Sequence, residues 1–209
     1  MEGAAHAAAL AGLDAATVHE AYGGRGALPS EIKPVDPSFR ICGPAFTVDC
    51  PPADNLWIHR AVYTARPGDV LVVHTRGERE AGYWGEILSE AALAQRLGGL
   101  VIDGGVRDVE RLVAIGFPVF AANVCIRGTG KDLVSDGRLA EPVVLGSVLV
   151  RTGDAVIGDR DGCVAVAADA VDAVAAAARE RIRKEHDVIA RLRNGETTLD
   201  IYQLPAAEG

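Results

Sequence analysis

Asp69-Val-Leu-Val-Val-His74, Leu100-Val-Ile102 and Pro118-Val-Phe-Ala121 are three short apolar runs separated by two segments of helical spacing, Tyr83 to Leu97 and Asp108 to Ile115. Runs of this length, rich in β-branched residues and bounded by Gly or Pro, read as strands buried on both faces. Pro67-Gly68 marks a turn before the first run. Gly98-Gly99 and Gly116 stand where helix C-caps belong, and Gly104-Gly105 reads as the turn into the second helix. Strand, helix, strand, helix, strand implies a parallel sheet joined by right-handed crossovers.

On either side of this βαβαβ portion the sequence is more β-like. Ile41 to Cys50, Val143 to Val150, Ala155-Val-Ile157 and Cys163-Val-Ala-Val166 are short β-branched runs bounded by Gly and Asp, and several read as paired strands. An alanine-rich helix, Ala168 to Arg193, ends at the C-cap signal Asn194-Gly195. The expected fold is a mixed α/β sandwich in one domain over residues 1–209, a length sufficient for one sizeable core.

Composition excludes several function classes. A formal charge of −8 is the wrong sign for displacing counterions from a phosphate backbone, so no nucleic-acid partner is expected. No apolar run is long enough to span a membrane, and Met1-Glu-Gly-Ala-Ala-His6 has no basic segment before a long apolar block, so a cytoplasmic protein without a secretory leader is expected. The four cysteines, Cys42, Cys50, Cys125 and Cys163, form no C-x-x-C pair and read as buried, reduced packing residues.

In open parallel sheets, ligands sit at the carboxyl ends of strands, where loops run into helix N-termini. Three features gather there. Gly85-Glu86-Ile87-Leu88 opens a helix, so its N–H groups are free for a carboxylate; Asp103 ends the next strand; Arg107-Asp108 opens the following helix. A 2-oxo acid offers a carboxylate and a ketone oxygen that together chelate a hard cation such as Mg²⁺ or Mn²⁺, with carboxylates and waters completing the shell. Carbon–carbon cleavage leaves an enolate, which a cation and a fixed guanidinium stabilise without a covalent intermediate. Taken singly, each residue has a plain structural role: Asp before Gly-Gly as a turn residue, Arg-Asp as a charge pair at a helix start.

Gly85-Glu86-Ile87-Leu88 followed by Gly99-Leu-Val-Ile-Asp103-Gly104-Gly-Val-Arg107-Asp108 resembles the motif of the 4-hydroxy-4-methyl-2-oxoglutarate/4-carboxy-4-hydroxy-2-oxoadipate aldolases, class II pyruvate aldolases related to the RNase E regulator proteins. The resemblance extends to Thr17-Val-His-Glu-Ala-Tyr-Gly23, Pro51-Pro-Ala-Asp-Asn55, Pro67-Gly-Asp-Val70, Gly158-Asp-Arg-Asp-Gly162 and Leu199-Asp-Ile-Tyr202. It implies a swivelling β/β/α domain similar to phosphohistidine domains, a homotrimer or homohexamer, and a divalent-metal lyase releasing pyruvate, with oxaloacetate decarboxylation through the same enolate. In residues, it implies Asp108 for the metal, Arg107 for the ketone oxygen, the amides of Ile87 and Leu88 for the pyruvate carboxylate, and Glu86 for ordering a water, where many relatives have Asp. It also implies a Glu from a neighbouring subunit on the C-terminal helix.

Glu185 suits that last role. It falls in the apolar stripe Val171, Val174, Ala178, Ile182, Ile189, Leu192, whereas Glu180 projects the opposite way. An acid in such a stripe also fits a peripheral residue with its head in water. The regulator branch typically lacks the acids flanking Gly-x-x-Arg; Asp103 and Asp108 are both present here and favour the lyase. The alternatives are a dedicated oxaloacetate decarboxylase, an aldolase for another 2-oxo acid, or a non-catalytic protein that binds a ribonuclease. Arg76 to Gly82 and Arg127 to Arg138 are candidate specificity loops.

Other motifs carry no chemistry. Tyr22-Gly-Gly-Arg-Gly26 lacks the spacing of a phosphate loop, His19, His59, His74 and His186 form no close ligand pair, Asp159 and Asp161 read as turn residues, and Ser89 and Ser135 have no elbow motif.

Overall fold

The computed structural model describes residues 7–207. The opening residues Met1–His6, on which the expectation of no secretory leader rests, lie outside the described residues. In chain order the elements are α1 (Ala15–Ala21), β1 (Lys33–Pro34), β2 (Ile41–Asp49), α2 (Leu56–Thr64), β3 (Val70–His74), β4 (Gly82–Trp84), α3 (Glu86–Ala94), β5 (Gly99–Val106), α4 (Val109–Ile115) and β6 (Val119–Val124). There follow β7 (Arg138–Leu139), β8 (Val143–Leu145), β9 (Val148–Val150), β10 (Ala155–Asp159), β11 (Gly162–Val166), α5 (Val171–Arg193), preceded by a 3₁₀ turn at Ala168–Ala170, and α6 (Thr198–Tyr202).

One mixed sheet runs β1-β6-β5-β3-β2-β10-β11, with β4 added to β5 and β7 to β2. The pairs among β3, β5 and β6 are parallel, with α3 and α4 in the connections, as the sequence predicts; β2 also lies parallel to β3, with α2 between them, which extends the parallel portion beyond the sequence reading, and β10 pairs antiparallel with both β2 and β11. The segment from Gly26 to Pro34 joins the two ends. Leu28 N–H donates to Cys163 O at 2.9 Å and Ala165 N–H to Gly26 O at 2.9 Å on one edge, while Lys33 and Pro34 pair with β6 on the other. The sheet is thereby nearly closed.

Strand alternation divides the apolar side chains among three layers. Val70, Val72, Val101, Phe120, Val156 and Ala165 fill the inside of the curled sheet. Leu71, Val73, Leu100 and Ile102 face outward under α2, α3 and α4, and Ile157, Val164 and Val166 face outward under α1 and α5. Only the first half of α5 packs: Val171, Val174, Ala175 and Ala178 are buried, while Ile189 and Leu192 are exposed. Among the described residues no helix is long and apolar enough to cross a membrane.

Four sequence readings need correction. Gly104-Gly105 is not a turn but lies inside the fully buried β5, so Asp103 is in mid-strand. A Cβ at Gly104 would meet Thr75 Cγ2 at 2.7 Å and the Tyr83 ring at 3.0 Å, so glycine serves close packing there. Tyr83 and Trp84 are strand, not helix. Trp84 is fully buried against Phe117 at 5.7 Å between ring centroids, and its Nε1–H donates to Ser89 Oγ. Two consecutive buried aromatics fit either period, and β5 takes them. The α3 C-cap is Gln95, followed by Arg96, and not Gly98-Gly99. Arg96 is left-handed, with Arg96 N–H on Leu93 O and Leu97 N–H on Ala92 O, the Schellman pattern. Cys42 is exposed rather than buried, because alternation along β2 turns it away from Ile41.

Candidate active site

The first turn of α3 and the end of β5 come together because β4 lies parallel to β5 and Arg107 N–H donates to Trp84 O at 2.9 Å. Gly82, Tyr83, Trp84, Gly85, Ile87, Leu88, Arg107 and Asp108 line a cleft of about 230 Å³. Asn55 and His59 from the start of α2 and Gly128, Thr129 and Lys131 from the loop after β6 complete its lining.

Asp108 is left-handed, with φ 59° and ψ 36°, and caps α4. Asp tolerates this region better than most residues, and here it turns the carboxylate back toward α3. Oδ2 accepts the Glu86 N–H at 3.1 Å and lies 3.9 Å from Arg107 Nε; Oδ1 has no partner among the described residues. Gly85 makes this approach possible. Its backbone is extended, but a Cβ would stand 2.3 Å from Asp108 Oδ2 and 3.3 Å from Arg107 Cγ. Ile87 and Leu88 are the second and third residues of α3, so their N–H groups have no acceptor within the helix, and the N-cap Gly85 offers them no side chain.

The sequence candidates therefore divide. Gly85, Ile87, Leu88, Arg107 and Asp108 share the cleft, whereas the side chains of Glu86, Asp103 and Glu185 do not line it. Glu86 reaches Asp108 through its backbone and its side chain is exposed. Asp103, 7% exposed, points to the other face of β5. Its carboxylate accepts from Thr75 N–H at 2.7 Å, Thr75 Oγ1 at 2.9 Å and His74 Nδ1 at 2.6 Å. That bond to Asp103 raises the His74 pKa. Glu185 lies on the exposed half of α5, paired with Arg181 at 2.8 Å, while Glu180 pairs with Arg183 and Lys184.

Reading the sequence missed Asn55, His59 and Lys131. Of the two candidate loops, Arg76 to Gly82 contributes only Gly82, and the later loop contributes Gly128, Thr129 and Lys131. Asp54 fixes that loop, with Oδ1 on Leu56 N–H at 3.0 Å and Oδ2 on Asp132 N–H at 2.5 Å; Trp57 Nε1–H bonds Ser135 Oγ at 3.0 Å. Burial and then the Lys131 charge lower the His59 pKa. Asp-Asn at a helix start was the one available signal, and it is common enough to carry little weight.

A family description, RraA-like (Aldolase/RraA), matches residues 13–165. The chain belongs to the RraA-like family. Among its relatives, a Halalkalibacterium halodurans protein named "Putative 4-hydroxy-4-methyl-2-oxoglutarate aldolase" is 33% identical over 149 residues, 71% of this chain and 70% of that protein. An uncharacterised Pseudomonas syringae protein has a similar structure, with TM-score 0.79 and 27% identity over 92% of this chain and 94% of that one. Streptomyces coelicolor RraAS2, described as an unusual member of the RNase ES inhibitor RraA family, has TM-score 0.75 and 26% identity over 89% and 96%. The RraA-like family thus includes proteins named as aldolases and proteins named as ribonuclease inhibitors, on this mixed α/β fold.

The donor set suits one kind of metal. Asp108 is the only carboxylate lining the cleft, and no group of three His, Cys, Asp or Glu among the described residues could enclose an ion. That count gives no closed zinc site among the described residues. A hard cation held by one carboxylate, waters and substrate oxygens fits it.

Proposed function

We propose that this protein is a divalent-cation-dependent carbon–carbon lyase that cleaves 4-hydroxy-2-oxo acids, such as 4-hydroxy-4-methyl-2-oxoglutarate or 4-carboxy-4-hydroxy-2-oxoadipate, to pyruvate and a second oxo acid. The observation that carries this reading is the convergence in one cleft of a free carboxylate oxygen on Asp108, the Arg107 guanidinium and the open N–H groups of Ile87 and Leu88. Asp108 would hold Mg²⁺ or Mn²⁺, which when bound supplies Lewis-acid stabilisation of an enolate. The amides of Ile87 and Leu88 receive the substrate carboxylate at a helix N-terminus, where the dipole favours an anion. Arg107 donates to the ketone oxygen and holds the charge that develops there as the bond from C3 to C4 breaks. Lys131, in the lining of the same cleft, supplies a cation for a second carboxylate.

Glu86 orders a water that takes the hydroxyl proton. Asp103, bonded to Thr75 and His74, holds β5 in place beneath Arg107 and Asp108. Glu185 acts from a neighbouring subunit of a trimer or hexamer. Support for a neighbour on this end of the molecule comes from Ile189, Leu192, Leu199, Tyr202 and Leu204, apolar residues of α5, α6 and the following turn left exposed in the protomer. Oxaloacetate decarboxylation would use the same enolate. Likeness to RraAS2 supports a second reading, a regulator that binds a ribonuclease; the free oxygen of Asp108 favours the lyase.

The test is pyruvate release from oxaloacetate and from 4-hydroxy-4-methyl-2-oxoglutarate with Mg²⁺ or Mn²⁺. Turnover above the metal-only blank that chelator abolishes is expected. Absence of turnover from metal-supplemented protein with both substrates would overturn the reading in favour of the binder or a different oxo acid.

A further inference from the structure

One polar atom in the cleft wall has a hydrogen-bonding need that the chain does not meet. Asn55 is 6% exposed and lines the same cleft as Arg107 and Asp108. Its Nδ2 donates to Tyr83 O at 2.9 Å, which fixes the amide, since the reversed orientation would set two carbonyl oxygens against each other. The remaining atom, Oδ1, is buried and has no donor among the described residues. An acceptor left unpaired on a residue that lines a cleft is costly unless a ligand or water supplies a hydrogen.

We infer that Asn55 Oδ1 accepts a hydrogen bond from the C4 hydroxyl of the substrate and thereby selects hydroxylated 2-oxo acids over those that lack the group. The inference rests on the lyase reading and deepens it. At neutral pH all carboxylates of such a substrate are ionised and its ketone oxygen only accepts, so the C4 hydroxyl is the one donor it carries. Keto-form oxaloacetate carries none. The contact belongs to the bound substrate. When the bond from C3 to C4 breaks, its electron pair becomes the enolate, the hydroxyl proton passes to a base and C4 becomes a carbonyl with nothing left to donate. Asn55 is therefore a specificity residue, and its loss appears in KM more than in kcat.

The experiment compares kcat and KM for 4-hydroxy-4-methyl-2-oxoglutarate and oxaloacetate in the wild-type protein and in Asn55→Ala and Asn55→Leu, with Mn²⁺ present. The ratio of kcat/KM for the hydroxy acid to that for oxaloacetate should fall by about 10-fold or more in both variants, through KM, whatever common loss they share. A ratio within about 2-fold of wild type would overturn the assignment and return Oδ1 to a bound water.

A second measurement uses the unaltered protein and so does not depend on the variants folding. Inhibition of oxaloacetate decarboxylation by 4-hydroxy-2-oxoglutarate and by 2-oxoglutarate differs only by the hydroxyl. Tighter inhibition by the hydroxy acid supports the contact, and equal inhibition overturns it. Wild-type protein that turns over neither substrate would instead overturn the lyase reading itself, and this inference with it.

Discussion

Replacing Gly85 by alanine tests the site through a steric argument rather than by deleting a functional group. The added Cβ would lie 2.3 Å from Asp108 Oδ2, against an ordinary contact of at least 3.4 Å, so the carboxylate must retreat by 3.4 − 2.3 = 1.1 Å. The backbone of Gly85 is extended, with φ −161°, so alanine brings no strain of its own. Retreat breaks the bond from Glu86 N–H and shifts Asp108 relative to Arg107. Misplacement by about 1 Å can cost about 10²-fold in rate. The exposed hydrogen bond accounts for about 1 kcal/mol, or about 2–4 °C in thermal midpoint for a chain of this size. We therefore expect Gly85→Ala to stay folded while metal-dependent pyruvate release falls about 100-fold and Mn²⁺ affinity, read by electron paramagnetic resonance, weakens. Turnover within about 3-fold of wild type, with Mn²⁺ affinity unaltered, would show that the position of Asp108 does not govern the chemistry.

Further outcomes follow from the same structure. Asp108→Asn should abolish most metal-dependent turnover, and Arg107→Ala should lower it by about 10²–10³-fold with the fold intact, because both side chains are over a third exposed; retained activity in both would remove them from the site. Glu185→Gln should reduce turnover without dissociating the oligomer, and unchanged kinetics would leave Glu185 as a surface partner of Arg181. His74 has a folded pKa raised above 6.5 by its bond to Asp103, so its contribution to stability is complete below about pH 6.5 and is lost as pH rises through the folded value. Melting temperatures across pH 5.5 to 9 should fall more steeply in wild type than in His74→Asn, and parallel curves would refute the linkage. Gly105→Ala should destabilise by about 1–3 kcal/mol in urea titrations, since its Cβ would meet Asn123 Oδ1 at 2.4 Å and Ala81 O at 2.7 Å.

β3, β5 and β6 were legible as parallel strands because each is a continuous apolar run and helical spacing separates them. Cys163-Val-Ala-Val166 and Ala155-Val-Ile157 were legible as strands for the same reason, and the structure pairs them with each other. The strand at Gly82–Trp84 was hidden because Tyr83 and Trp84 satisfy a helical stripe as well as a strand. Gly104-Gly105 was misread because a glycine pair signals a turn in sequence, and only the ring of Tyr83 and the loop at Arg79–Ala81 show why the strand needs the small residue.

The candidate site divides in the same way. Local sequence sufficed for the groups that a helix start or a strand end presents on its own: the amides of Ile87 and Leu88, and the adjacent Arg107 and Asp108. These properties depend on neighbours in the chain, so a one-dimensional reading reaches them. What Gly85 is for, where Asp103 points and which residues share the cleft with Arg107 depend on contacts between segments far apart in sequence. The orphaned oxygen of Asn55 is the clearest case, since it is defined by Tyr83, 28 residues away, and by the cleft that the loop at Gly128–Lys131 helps to line. Composition and periodicity determined the layers, and tertiary packing decided which polar atoms were satisfied within the chain and which were left for a ligand.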